Sequence, residues 1–240
     1  MLITRFPAET VKYTEFPEKQ NVLDREEPKE PPMYENLSQV MCQLYLTLPT
    51  LDVAQHKTPE FTKMNPMQKV PVMQHNGFVL TESDAILKYL ATNFNVPEHW
   101  YPRHPERRAK VDEYTAWHHM NTRLHASRVF IYEVLMPRMT GQPTEPAKLE
   151  KALKELEKTL EKLESMFLRR QAFLCGDDIT LADLLAICEV MQPLGAGRDV
   201  LKDRPRLQCW RSRVQSALKC SFDEAHNVLY RLRDKATAKL

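Results

Sequence analysis

A chain of 240 residues with 5 glycines, 17 prolines and a formal charge of +2 from 34 basic and 32 acidic side chains excludes several functional classes at once. The glycines, Gly77, Gly141, Gly176, Gly195 and Gly197, cannot compose a G-x-G-x-x-G fingerprint or a P-loop, so glycine-cradled nucleotide phosphates are ruled out. The balanced charge leaves no electrostatic footprint for nucleic acid, and no apolar run reaches the roughly 20 residues that span a bilayer.

Neither nucleic acid nor a membrane is therefore an expected partner, and the chain reads as cytoplasmic. Cys42, Cys175, Cys188, Cys209 and Cys220 are odd in number, widely spaced and never in a C-x-x-C arrangement, which fits reduced thiols. His118, His119 and His125 supply too few ligands for a zinc centre, so no metal site is expected.

Residues 1–36 carry eight acids, five bases and five prolines without a sustained apolar period, and read as a disordered or extended arm. From Met33 to Val53 the chain turns apolar, with Leu44, Leu46 and Leu48 alternating as in a short strand that Pro49 confines to an edge or an early stop. Two β-prone runs, 70–73 and 78–80, flank Asn76-Gly77 and predict a hairpin. A helix follows at once, with Thr81 as N-cap, Asp84 in its first turn and Ala85, Ile86, Tyr89, Leu90 and Phe94 as its apolar stripe.

Past the proline-flanked segment VPEHWYP everything reads helical. A long helix opens on Pro105 and runs through Ala109, Tyr114, Trp117, Met120, Leu124, Phe130, Ile131, Val134 and Leu135 until Pro137 stops it. Leu149, Leu153, Leu156, Leu160, Leu163 and Phe167 recur at spacings of four and three, as on one helix of a bundle. In DDITLADLLAICEVMQP, Thr180 and Asp183 form a capping box, and the apolar residues after them cover nearly all faces, the mark of a central buried helix running to Pro193. Thr180 and Asp183 are accordingly structural. Two further helices are expected, one through Leu207, Trp210, Val214 and Leu218, the other capped by Ser221 with Glu224.

The stretches QHKTPEFTKMNPMQKVPV, FVLTESDAILKYL, HWYPRHPERRAKVDEYTAWHH, FLCGDDITLADLLAICEVMQP and DRPRLQCWRSRV, in this order, resemble the theta class of the cytosolic glutathione transferases over residues 55–234. The resemblance implies an α/β plus all-α chain. Residues 37–96 would form a thioredoxin-like glutathione-binding domain, truncated or altered in its opening unit, and residues 104–237 an all-helical C-terminal domain. It also implies a homodimer that needs no cofactor and takes glutathione as co-substrate.

The same resemblance assigns a glutathione site. KVP looks like the family's cis-proline loop, where Pro71 would leave the Val70 backbone to pair with the cysteinyl backbone of glutathione. Lys69 and His56 would meet the glycyl carboxylate. TES looks like the γ-glutamyl subsite: Ser83 at a helix start would take the carboxylate, and Glu82 would accept from the ammonium. Arg123 would face the ligand's sulfur. Taken singly, each of these residues is equally an ordinary surface or helix-start residue; taken together and in the family order they read as one site.

The opening unit departs from the family pattern, in which a serine within L-S-Q-P-C-R hydrogen-bonds the thiol. Leu37-Ser38-Gln39 is the one match, and Val40 and Met41 stand where proline and cysteine would follow. Only 17 residues separate Ser38 from His56, too few for a three-turn helix, a strand and their connections. A second alignment puts Thr50 at the hydroxyl position and leaves no room for the helix. The hydroxyl that would activate the thiol is thus Ser38, Thr50 or neither. Two functions follow: conjugation of the glutathione thiolate to small electrophiles such as halides and peroxides, with Tyr114, Trp117 and Met120 either on the substrate wall or, as is commoner for aromatics at helical spacing, in the core, or a binding or interaction protein that lacks the thiol-activating turn.

Overall fold

The computed structural model describes residues 55–75 and 77–238. The expectations for the arm at 1–36, the strand at 44–48, Ser38 and Thr50 lie outside these residues. The chain divides into two compact units, 1–96 and 97–240.

In the first unit a 3-10 turn, Gln55–Lys57, leads into helix α1, Pro59–Met64. Thr58 caps α1 by accepting from the Phe61 N–H at 3.2 Å, and Pro59 sits where a helix has no use for a backbone N–H. Strands β1, Val72–His75, and β2, Phe78–Thr81, pair antiparallel in the register Val72 to Thr81 and His75 to Phe78. Gly77 has φ +79°, the left-handed backbone a tight hairpin turn requires.

The first strand starts two residues later than the sequence predicts, because Pro71 has no N–H to give a ladder. The helix N-cap also shifts. Thr81 is held extended by its pairing with Val72, and α2, Ser83–Asn93, starts from Glu82. Ile86, Leu87 and Leu90 of α2 are fully buried. The hairpin joins this helix through His75, whose Nδ1 lies 2.7 Å from the Tyr89 hydroxyl, and through Phe78 stacked on Tyr89 at 5.3 Å.

The second unit, as described, is helical apart from an isolated bridge between Phe173 and Gly176. Its helices are α3, Pro105–His118; α4, Leu124–Phe130; α5, Met136–Thr140; α6, Pro146–Lys162; α7, Leu181–Val190; α8, Pro205–Leu218; and α9, Cys220–Thr237. Helices α3, α4 and α5 form one path joined by π-helical turns, His119–Arg123 and Ile131–Leu135. A third such turn, Leu163–Phe167, closes α6.

Contrary to expectation, Pro137 does not stop the path. Its ring would strike the carbonyl four residues back in a regular helix, and the widened turn at 131–135 takes up that misfit. The path ends instead at Gly141, φ +70°, whose N–H reaches the Pro137 carbonyl at 2.9 Å. Helix α9 likewise starts one residue before Ser221, which lies inside it.

All ten residues of α7 are buried, as its unbroken apolar cover predicts. The helix is anchored by Asp183, itself wholly buried. Oδ2 accepts from the Thr180 N–H at 2.9 Å and the Thr180 hydroxyl at 3.1 Å, while Oδ1 accepts from the Leu174 N–H at 2.9 Å and the Trp210 indole at 2.8 Å. The capping box thus extends into a clamp on two other segments. Among the described residues, no helix is long and apolar enough to cross a membrane.

Candidate functional site

The loop between α1 and β1 is shaped by Asn65, a side chain that sequence reasoning passed over. It is 1% exposed, and its Nδ2 donates to the Lys69 carbonyl at 2.7 Å while its Oδ1 accepts from the Met67 N–H at 3.1 Å. Gln68 adopts φ 53°, and its amide nitrogen donates to the Thr62 hydroxyl at 3.0 Å. Together these bonds set the path of the chain into Lys69, Val70 and Pro71. The available signal was Asn65-Pro66, a turn-initiating dipeptide. The Val70–Pro71 peptide is cis, and among the described residues no hydrogen bond engages the Val70 backbone.

The strand register then brings two predicted groups together. Val72 pairs with Thr81, so the residues just before Val72 and just after Thr81 leave the same end of the hairpin. Pro71 and Glu82 therefore follow on from the same end of the hairpin. Glu82 has φ 67° and ψ 116°, a region costly for a non-glycine residue and one that concentrates at functional sites. It turns the chain abruptly from β2 into α2, setting Ser83, 5% exposed, at the first position of an 11-residue helix. The N-cap residue Glu82 makes no side-chain cap bond, and the leading N–H groups together with the helix dipole favour an anion.

Lys69 and Glu82 are exposed, a cation and an anion flanking this end of the hairpin. His56 is buried to 3% exposure, and among the described residues neither of its ring nitrogens has a hydrogen-bond partner. Burial first, then the neighbouring Lys57, pulls its pKa below the usual histidine range, so the ring is neutral and has a donor to offer. Among the described residues no hydrogen bond joins His56 to Lys69, Val70, Glu82 or Ser83.

Arg123 belongs to the second unit and closes the first π-helical turn. Its Nη1 lies 3.9 Å from Oε1 of Glu189 on α7, a carboxylate 3% exposed that sequence reasoning did not single out. The other oxygen of Glu189 accepts from Gln192 at 2.5 Å. Burial pushes the Glu189 carboxyl up to about 7, with Arg123 pulling the other way. Tyr114 is no part of an open wall. It is fully buried, with its hydroxyl 3.2 Å from His118 Nδ1 and 3.3 Å from the Thr122 hydroxyl. Trp117 packs on Phe167 at 5.0 Å, and Met120 is 63% exposed. Among the described residues no group of three or more His, Cys, Asp and Glu side chains is placed to hold a metal ion.

The first unit therefore offers backbone and a helix start at one end of a hairpin, suited to an extended ligand with charges at its ends. The profile of the glutathione S-transferase N-terminal domain matches residues 46–92, and that of the C-terminal domain matches residues 125–217. Bovine glutathione S-transferase theta-1 is 45% identical over 194 residues, covering 80% of this chain and 81% of that protein. Human glutathione S-transferase theta-2 is 38% identical over 197 residues, 81% of this chain and 80% of its own.

Among solved structures, human glutathione S-transferase T1-1 in its apo form superposes with a TM-score of 0.74 at 41% identity, over 84% of this chain and 85% of that one. Human theta-2 in complex with glutathione and an unknown ligand gives a TM-score of 0.75 at 36% identity, over 85% and 84%. On these matches the chain belongs to the glutathione S-transferases, with a thioredoxin-like N-terminal domain and a helical C-terminal domain, and within them to the theta class.

Proposed function

We propose that this protein binds glutathione along the end of its hairpin and joins the thiolate to small electrophiles, halides and organic peroxides among them. The observation that supports the reading is the register of β1 on β2, by which the segment that ends in Val70 and Pro71 and the segment that opens α2 leave the same end of the hairpin. An extended tripeptide fits that arrangement as an added strand: its cysteinyl backbone pairs with Val70, its γ-glutamyl carboxylate takes the Ser83 end of α2, and its ammonium meets Glu82. Lys69 and His56 hold the glycyl carboxylate, the first by charge and the second as a neutral donor.

In the substitution step the thiolate sulfur forms a bond to carbon and the halide leaves with the bonding pair. The thiol of free glutathione resembles that of free cysteine, with a pKa near 8.5, so a donor to the sulfur raises the reactive fraction at neutral pH. Ser38 is proposed for that donor. By the same family pattern the protein works as a cytoplasmic homodimer in the removal of electrophiles.

A second reading, binding without turnover, is favoured by Val40 and Met41 after Ser38, where the family pattern has proline and cysteine. Titration calorimetry with glutathione, followed by conjugation of a chlorinated arene and reduction of an organic hydroperoxide, separates the two. Binding with turnover supports the transferase, binding without turnover the second reading, and the absence of binding contradicts both. A Ser38→Ala chain with an unchanged pH–rate profile would remove Ser38 from the mechanism.

A further inference from the structure

We infer that Asn65 is a positioning residue for the cysteinyl backbone of glutathione, fixing the direction in which the Val70 N–H is presented. This role rests on the glutathione reading of the hairpin end and names the side chain that prepares it. Asn65 is 1% exposed and stands at the C-terminal end of α1, where its own N–H reaches the Phe61 carbonyl at 2.8 Å. The loop after it is tied back by two bonds that do not use this side chain. The Gln68 N–H meets the Asn65 carbonyl at 2.9 Å, and the Gln68 amide nitrogen meets the Thr62 hydroxyl at 3.0 Å. Closure of the turn therefore does not account for the Asn65 amide.

That amide reaches further along the chain. Oδ1 accepts from the Met67 N–H at 3.1 Å, and Nδ2 donates to the Lys69 carbonyl at 2.7 Å. A backbone N–H only donates and a carbonyl only accepts, so this place needs a donor and an acceptor on separate atoms; aspartate would offer two acceptors and leucine neither. The Lys69–Val70 peptide is trans, since Val70–Pro71 is the only cis bond among the described residues. In a trans peptide the carbonyl and the N–H point opposite ways, so a carbonyl held by Asn65 turns the Val70 N–H away from that side chain. Gln68, at φ 53°, occupies backbone that is costly for a non-glycine residue, so a loop released from Asn65 relaxes and the Lys69–Val70 peptide rotates with it. The ligand then meets the binding orientation only part of the time, and its apparent Kd rises by the inverse of that fraction.

The test is Asn65→Ala in the full chain, with its fold checked by far-ultraviolet circular dichroism and urea unfolding. Calorimetry is run with glutathione and with γ-glutamylcysteine, which lacks the glycyl residue. A peptide in the binding orientation about a tenth of the time gives a Kd about tenfold higher. The same factor is expected for both ligands, because both carry the cysteinyl carbonyl oxygen that the Val70 N–H would meet. With cumene hydroperoxide as the second substrate, the KM for glutathione should rise with Kd while kcat stays within about twofold, since the loop is in place once the ligand is bound.

A merely structural asparagine would lower the urea midpoint and leave both Kd values of the folded chain unchanged, which would overturn the inference. So would a loss confined to glutathione, which would tie Asn65 to the glycyl carboxylate instead, or a fall in kcat at constant Kd. If Asn65→Ala fails to fold, Asn65→Ser, whose hydroxyl is too short to span both groups, is expected to give the same two Kd ratios, and unchanged values overturn the inference. In a native chain that binds without turnover the two ratios decide alone. A native chain that binds neither ligand contradicts the glutathione reading and this role with it, whereas equal binding by native chain and variant contradicts the role alone.

Discussion

Asp183→Ala tests whether one buried carboxylate ties α7 to the rest of the helical unit. The substitution strands four donors at once: the Thr180 N–H and hydroxyl, the Leu174 N–H and the Trp210 indole N–H, bonded at 2.8–3.1 Å and closed to water around a side chain of 0% exposure. A buried donor left without a partner costs about 1–3 kcal/mol, so the four together reach about 4–12 kcal/mol before relaxation, against a total stability of about 5–15 kcal/mol. Local rearrangement and water entry reduce that figure, and a loss of about 4 kcal/mol or more is expected. At about 2–4 °C per kcal/mol for a unit of this size, Tm falls by roughly 10 °C or more. Asp183→Asn keeps one acceptor oxygen and should lose about half as much. Urea unfolding followed by tryptophan fluorescence and far-ultraviolet circular dichroism measures both. A loss below about 1 kcal/mol for Asp183→Ala would refute the clamp, since it would mean that the four donors find other partners.

Three further outcomes are expected. Lys69→Ala should raise the KM for glutathione about three- to fivefold with little change in kcat, since an exposed lysine contributes no more than about 1 kcal/mol to a carboxylate. His118 is buried, its pKa lowered by that burial to about 3, while the unfolded ring titrates near 6.5. Its contribution is complete above pH 6.5 and is lost as pH falls, so between pH 7.5 and 5.5 His118→Gln should lose about 1.4 kcal/mol less than the native chain, or roughly 3–6 °C in Tm by scanning calorimetry. Gly195 packs so closely that an added Cβ would lie 2.9 Å from Phe130 Cε2 and 3.3 Å from Leu229 Cδ2, both in core side chains. Gly195→Ala should therefore destabilise by about 1–3 kcal/mol in urea unfolding, with glutathione affinity unchanged.

Much of the fold is legible in the residues because local chemistry and packing agree. Asn76-Gly77 between two alternating runs specifies a hairpin, and Thr180 three residues before Asp183 specifies a cap followed by a buried helix. What escapes such reading depends on long-range partners. Thr81 has every local feature of an N-cap, yet its pairing with Val72 keeps it in the strand and passes the turn to Glu82. Pro137 reads as a stop because a regular helix cannot contain it, but the π-helical turn at 131–135 just before it takes up the misfit.

The candidate site divides along the same line. Lys69, Val70, Glu82 and Ser83 are recognisable because each belongs to a short motif on one stretch of chain. Asn65 bonds to the loop backbone, and Glu189 meets Gln192 and, at 3.9 Å, Arg123. Their types carry no local signal beyond a polar residue in an unusual place. Glu189 is, beside Asp183, the second acid in a helix that is otherwise apolar, and buried charges are expensive enough that such exceptions repay a search for their partner.

The central claim is that glutathione is held at the shared end of the hairpin and α2, and calorimetric titration of glutathione into the native chain and into Ser83→Ala tests it most directly. The native chain should bind in the micromolar to millimolar range typical of enzyme substrates, and loss of one hydrogen bond to the ligand's carboxylate should weaken binding by about tenfold or more. Equal affinity in the two chains, or no heat of binding in the native one, would contradict the site.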